Sequence, residues 1–149
     1  MAEHRAQIRW HRTTPTFTYE SYNRAHEIRF KNGAIVVPGS AAAKFLGDES
    51  RVDPEEQFVA SLSACHMLSF LAIAARKRMT VESYSDDAVG FLEKGPSGKL
   101  MMTRVILRPS VKFTADPGRE ALNEIHHLAH ETCFIANSVT TSVAVEPQF

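Results

Sequence analysis

The sequence is short of several things, and each shortage excludes a class of protein. It has only two cysteines, Cys65 and Cys133, with 67 residues between them. No CxxC pair, zinc-finger spacing or disulfide framework can be built from them. It has no excess of either charge: 17 basic residues cancel 17 acidic ones. No cluster of Lys and Arg creates a field for nucleic acid or an anionic membrane, so neither is expected as a partner. The opening residues Met1 to Trp10 carry charges and a Trp where a signal peptide has its apolar core. No run approaches the roughly 18 apolar residues of a bilayer span. Repeats, low-complexity segments and linkers are absent too. These readings predict a single domain over residues 1–149, in the cytoplasm, where disulfides are rarely structural.

What is present has ordinary globular proportions, 44% apolar and 23% charged. Gln7–Arg12 alternates, with Ile8 and Trp10 on one side, and reads as a strand. His26–Lys31 alternates likewise, Asn32-Gly33 signals a hairpin turn, and Ala34–Val37 forms the returning strand. Residues 40–52 read as an ordered loop. Asp53, Pro54 and Glu56 then give a helix start with a capping box. Phe58, Leu62, Cys65, Leu68 and Ala72 recur at helical spacing, in a helix expected to run to about Met79 and to be apolar nearly all round.

Tyr84–Glu93 and Lys99–Arg108 read as strands about a Gly95–Gly98 turn. Val111 and Phe113 continue after Pro109, which marks a bend or an edge. Asp116-Pro117 opens a second helix carrying Leu122, Ile125, Ala129 and Cys133 on one face, with Asn137 as its stop. Val143 and Val145 alternate in a last strand. The fold class is α+β, antiparallel sheets with two principal helices.

The cysteines admit two readings, a pair of buried core thiols or a redox pair in which one thiol attacks and the other captures the sulfenic acid. Cys65 lies about three turns into its helix, too deep for the dipole to activate it, so activation requires a cation from elsewhere. His126, His127, His130 and Glu131 form an HHxxHE cluster. His126 and His130 have the i, i+4 spacing of zinc helices. The Glu does not lie between that pair, and Ile125, Ala129 and Cys133 already claim the core face, so a solvated face is expected. A metal-binding domain using Cys133 and these histidines remains an alternative. His66 points about 100° from Cys65 and reads as a packing or interface residue.

The run Asp53-Pro54-Glu55-Glu56-Gln57-Phe58-Val59-Ala60-Ser61-Leu62-Ser63-Ala64-Cys65-His66 resembles the signature of the OsmC/Ohr family. Cys133-Phe134-Ile135-Ala136-Asn137-Ser138-Val139 is similar to its second cysteine segment. The resemblance is nearest to the OsmC-like branch with Ser-Ala-Cys-His. Phe134 replaces a frequent proline, and the glycines usual around the family's arginine are missing. The resemblance implies an intertwined homodimer that reduces organic hydroperoxides, with no bound cofactor and an external dithiol, a lipoyl group or lipoylated protein, as electron donor. It assigns Cys65 the peroxidatic role, Cys133 the resolving role, Glu55 the acidic role and Arg24 the activating role. Arg12 and Arg29 are nearby competitors for the last. Phe58, Leu62, Phe134 and Ile135 would supply an apolar substrate pocket. A non-catalytic member that binds a ligand or serves in stress is the alternative within the family.

Glu55 and Cys65 are ten residues apart, about 15 Å along an unbroken helix. Either the helix breaks between them, or Glu55 and Arg24 serve the Cys65 of a second chain.

Overall fold

The computed structural model describes residues 1–149 and divides into two compact units, Met1–Gln57 and Phe58–Phe149. In the first, strands β1 (Gln7–Arg9), β2 (His26–Phe30) and β3 (Ile35–Gly39) form an antiparallel meander. The Asn32-Gly33 turn forms as expected, although Phe30 pairs with Ile35 and the loop is a wider 3₁₀ turn. Lys31, Asn32 and Gly33 all take positive φ there. Gly39 has a different constraint: a Cβ would lie 2.4 Å from His26 Nε2, so a side chain here would push the His26 ring aside. Ile28 is buried as its alternation requires.

Helix α1 (Pro54–Arg76) is continuous, so the break considered above does not occur. Its capping box is realised, with the Glu56 N–H donating to Asp53 Oδ1 (2.7 Å) and the Asp53 N–H to Glu56 Oε2 (3.0 Å). It ends at Arg76, and Arg78 in the left-handed region turns the chain away. Two expectations about α1 are corrected. Its 23 residues reach a mean hydropathy of 1.9 over an 18-residue window, long and apolar enough by composition to cross a membrane. Phe58, Val59, Leu62, Leu68, Phe70, Leu71 and Ile73 carry most of this average, although Ser and His residues interrupt the run. Only 22% of that window is buried within the chain. The buried face is Leu62, His66, Phe70 and Ala74, so of the expected Phe58, Leu62, Cys65, Leu68 and Ala72 stripe only Leu62 lies on it. Leu68 is 62% exposed, and Ala60, Ala64, Ala72 and Ala75 are exposed with it.

In the second unit the expected Tyr84–Glu93 strand is two strands, β4 (Val81–Asp86) and β5 (Val89–Lys94). β6 (Leu100–Leu107) pairs antiparallel with β5, and β7 (Pro109–Phe113) pairs antiparallel with β4. Asp86 helps to make the break: its carboxylate accepts the Arg108 N–H (2.6 Å), between β6 and β7. β8 (Ser142–Val145) adds to β6 in parallel, an exception to the antiparallel expectation. Helix α2 (Arg119–Thr132) starts later and ends earlier than expected, leaving Cys133 as its C-cap and Asn137 in a separate 3₁₀ turn. Phe70, Ala74, Leu122, Ile125 and Ala129 pack one core cluster, and Leu62, Val105 and Leu107 another. The fold is α+β, with two helices on largely antiparallel sheets.

Candidate functional site

The two cysteines are neighbours despite their separation in sequence, close enough for the Cys65 side chain to act on the Cys133 thiol. α1 carries Cys65 and the end of α2 carries Cys133, both as free thiols, Cys65 half-buried and Cys133 buried. Burial pushes the Cys133 thiol pKa up, and the neighbouring Cys65 side chain raises it further, while the Ala136 amide opposes both. That amide donates to Cys133 Sγ at 3.5 Å, fixing the sulfur against the turn that follows α2. Cys133 is thus a sequestered, protonated thiol, and Cys65 is the more accessible sulfur of the pair.

Next to Cys65 on the chain, His66 turns into the core instead. It is 1% exposed, on the same face as Leu62 and Phe70, four residues to either side. Its Nε2 lies 3.0 Å from His126 Nδ1, the two rings are nearly parallel, and Phe70 packs against His126. The solvated-face expectation therefore fails for His126, which is buried, and for His130, which is half-buried; His127 alone is exposed, paired with Glu131. α2 is rotated so that Ile125 and His126 both face inward. Burial lowers both pKa values to about 4, with each histidine additionally lowered by a histidine neighbour and His66 partly restored by Asp86. No group of three or more His, Cys, Asp or Glu side chains is placed to hold a metal ion, which removes support from the Cys133–histidine alternative.

Arg24 and Glu55 belong to the first unit and line one cavity there, of about 590 Å³. Arg24 precedes β2 and is 9% exposed. Its guanidinium donates to the carbonyls of Tyr22 (2.7 Å) and Tyr19 (2.5 Å) and lies 3.9 Å from the Tyr22 ring centroid. No ion pair joins it to Glu55, so backbone carbonyls rather than a carboxylate hold its fork. Arg24 Nε and Glu55 Oε2 are both shielded from solvent without a partner. The competing arginines are otherwise engaged: Arg12 donates to its neighbour Thr14, and Arg29 pairs with Glu27 at 2.7 Å. Trp10, Phe17, Tyr22 and Phe45 supply the aromatic walls. Trp10 shows in the sequence as a strand residue and Tyr22 lies in the run that carries Arg24, whereas Phe17 and Phe45, single aromatics in loops, carry no periodic signal.

The four residues expected to form a substrate pocket differ in burial within this chain. Leu62 has no exposed surface, Phe58 and Ile135 pack against its cluster, and Phe134 stands 79% exposed at the surface. The turn between α2 and the Ala136–Ser138 3₁₀ turn leaves Phe134 outward, which sequence spacing could not fix.

Comparison with known proteins places this geometry in a family. The model of OsmC-like proteins matches residues 47–148. An OsmC-like protein of unknown function from Vibrio cholerae O1 biovar eltor is 49% identical, with a TM-score of 0.94 over 99% of this chain and 100% of that one. The organic hydroperoxide resistance protein of Elizabethkingia anophelis shares the fold at 15% identity, TM-score 0.75, covering 99% of this chain and 94% of that one. OhrB of Bacillus subtilis does so at 21% identity, TM-score 0.71, covering 99% and 98%. No protein of curated function matches. Over its helical thiol segment, its second cysteine turn and its topology, the chain belongs to the OsmC-like family.

Proposed function

We propose that this chain is a cysteine-based peroxidase that reduces organic hydroperoxides to alcohols. The observation that carries the reading is the nearness of two free thiols from opposite ends of the second unit, one accessible and one held protonated. The Cys65 thiolate attacks the distal peroxide oxygen, the O–O bond breaks, and the alkoxide takes a proton and leaves as the alcohol. The Cys65 sulfenic acid then condenses with Cys133: the S–S bond forms and water departs with the Cys133 proton. A dithiol donor, by preference a lipoyl group or lipoylated protein, returns the disulfide to two thiols. No bound cofactor enters the cycle, which suits a reducing cytoplasm.

The activating cation remains to be supplied, and Arg24 with Glu55 is the candidate pair. Because α1 is unbroken, Glu55 stands about 15 Å along the axis from the Cys65 of its own chain. The reading therefore has Cys65 served by Arg24 and Glu55 of the partner subunit in an intertwined homodimer. The exposed Ala60, Ala64, Leu68, Ala72 and Ala75 face of α1 supports a second copy, since such a stripe needs a cover.

Steady-state reduction of cumene hydroperoxide and hydrogen peroxide, with dihydrolipoamide or dithiothreitol as donor, tests the activity. Turnover of the organic peroxide that is abolished in Cys65→Ser is expected. No turnover with either donor in the wild-type protein would leave a non-catalytic member of the family.

A further inference from the structure

The first unit carries another cavity, of about 420 Å³, whose charges do not balance. Neither Arg24 nor Glu55 lines it. Its lining holds three guanidinium groups, Arg9, Arg29 and Arg51, and a single carboxylate, Glu27. The chain as a whole is neutral, and these arginines stand 20 and 22 positions apart, so no basic cluster shows in the sequence. The sheet assembles it. Arg9 on β1 is the register partner of Glu27 on β2, and Arg29 follows two residues later. All three therefore share the face opposite the buried Ile28. Arg51 reaches the same cavity from the loop before α1, its Nη1 donating to the His26 carbonyl at 3.1 Å.

The one carboxylate is committed to Arg29, whose Nε donates to Glu27 Oε2 at 2.8 Å and whose Nη2 lies 2.7 Å from the same oxygen. The Nη1 hydrogens of Arg29 are left over. Arg51 has Asp48 only at 3.7 Å from its Nε, and Asp48 is not on the lining, so the Nη2 hydrogens of Arg51 are free as well. Arg9, although opposite Glu27, makes neither a hydrogen bond nor an ion pair, and all its N–H groups remain. The side chains of Arg29 and Arg51 are only 26% and 31% exposed, so water screens their repulsion incompletely. A concave lining with an excess of positive charge concentrates anions.

The arginines also set the kind of anion. A carboxylate brings one charge and two oxygens in a single plane. A phosphate monoester brings about 1.5 to 2 negative charges at neutral pH and three terminal oxygens. Three guanidiniums against one carboxylate leave an excess of two positive charges on the lining, which the monoester matches and the carboxylate does not. Arginine forks suit phosphoryl oxygens in geometry too. The volume exceeds what a bare phosphoryl group fills and lies in the range of small-molecule sites, roughly 300–1,000 Å³, so an organic body accompanies the head.

We infer that this cavity binds a small phosphate monoester, its phosphoryl group held by Arg9, Arg29 and Arg51. The site uses no cysteine and stands or falls apart from the peroxidase reading.

Isothermal titration calorimetry on the full-length protein at pH 8, where the monoester is a dianion, tests it. The probes are phenyl phosphate, its monoanionic methyl ester and inorganic phosphate. Phenyl phosphate should saturate, and both the methyl ester and inorganic phosphate should bind at least about tenfold more weakly. Arg9 is exposed and unpaired, so Arg9→Gln leaves the fold intact. It should weaken phenyl phosphate about tenfold, as loss of a charge-assisted contact requires. Arg5→Gln makes the same change in net charge outside the cavity and should leave the affinity unchanged. No saturable heat, or equal binding of the monoester and its methyl ester, would overturn the site. So would an equal loss in Arg5→Gln and Arg9→Gln, which would reduce the effect to general charge attraction. Inorganic phosphate binding as tightly as phenyl phosphate would overturn the monoester assignment.

Discussion

Acidification from pH 7 to pH 5 should destabilise this protein mainly through its buried histidine pair. His66 and His126 share one short contact, Nε2 to Nδ1 at 3.0 Å, which a single proton satisfies. The outer nitrogens, His66 Nδ1 and His126 Nε2, are buried without partners, so a proton added to the neutral pair gains no acceptor. Burial accordingly holds both pKa values at about 4 in the folded chain, against about 6.5 unfolded. These are bases with depressed folded values, so between those limits the unfolded chain binds more protons and stability rises with pH. Their contribution is complete above about pH 6.5 and declines as pH falls toward 4. At pH 5 each ring costs roughly 2 kcal/mol relative to pH 7, and the pair roughly 4, a large part of the roughly 5–15 kcal/mol typical of a whole domain. Asp48 and Glu93 do not confuse this window. Hydrogen bonds from Ser50 and Thr103 hold their carboxylates below their ordinary values, so they lose charge at lower pH. Urea denaturation at fixed protein concentration is the assay. With a slope of about 2 kcal/mol per molar, the midpoint should fall by about 2 M between pH 7 and pH 5. His126→Phe should reduce that difference by about half, whatever it does to the absolute midpoint. An unchanged midpoint, or a full shift surviving in His126→Phe, would refute the assignment.

The remaining expectations concern the thiols, the subunits and the core. Cys133→Ser should consume one equivalent of hydroperoxide and then stall, with the stalled mass gaining oxygen at Cys65; equal steady-state rates in Cys65→Ser and Cys133→Ser would remove the division of roles. Co-refolding Cys65→Ser with Arg24→Ala should restore about one working site per heterodimer, whereas no recovery in a confirmed heterodimer would place the site within one chain. Phe70→Ala empties a fully buried position against Tyr84, Phe113 and His126 and should cost about 3–5 kcal/mol in urea melts. Asp53→Ala breaks the capping box and should cost about 1 kcal/mol; no loss would mean that α1 does not depend on its cap.

Part of this fold is under the control of local chemistry and is legible in short stretches of residues. The Asp53–Glu56 capping box, the Asn32-Gly33 hairpin and the α+β order are written in neighbouring residues, because caps, turns and alternation act over a few positions. The family followed from the same short-range pattern around Cys65 and Cys133. What local pattern could not decide was which side of a nearly uniform helix faces inward. Apolar residues surround α1, so periodicity offered Leu68 and Ala72 as readily as Leu62 and Phe70, and only packing against Ile125 and Ala129 chose. The same packing rotated His126 out of an apparent solvent face and onto His66, 60 residues away. It set Arg24 apart from Arg12 and Arg29, since burial between Tyr19 and Tyr22 depends on how the loop before β2 folds back. Contacts between residues far apart in the chain leave no period to read, and the thiol pair, the histidine pair and the aromatic cavity are all built from such contacts.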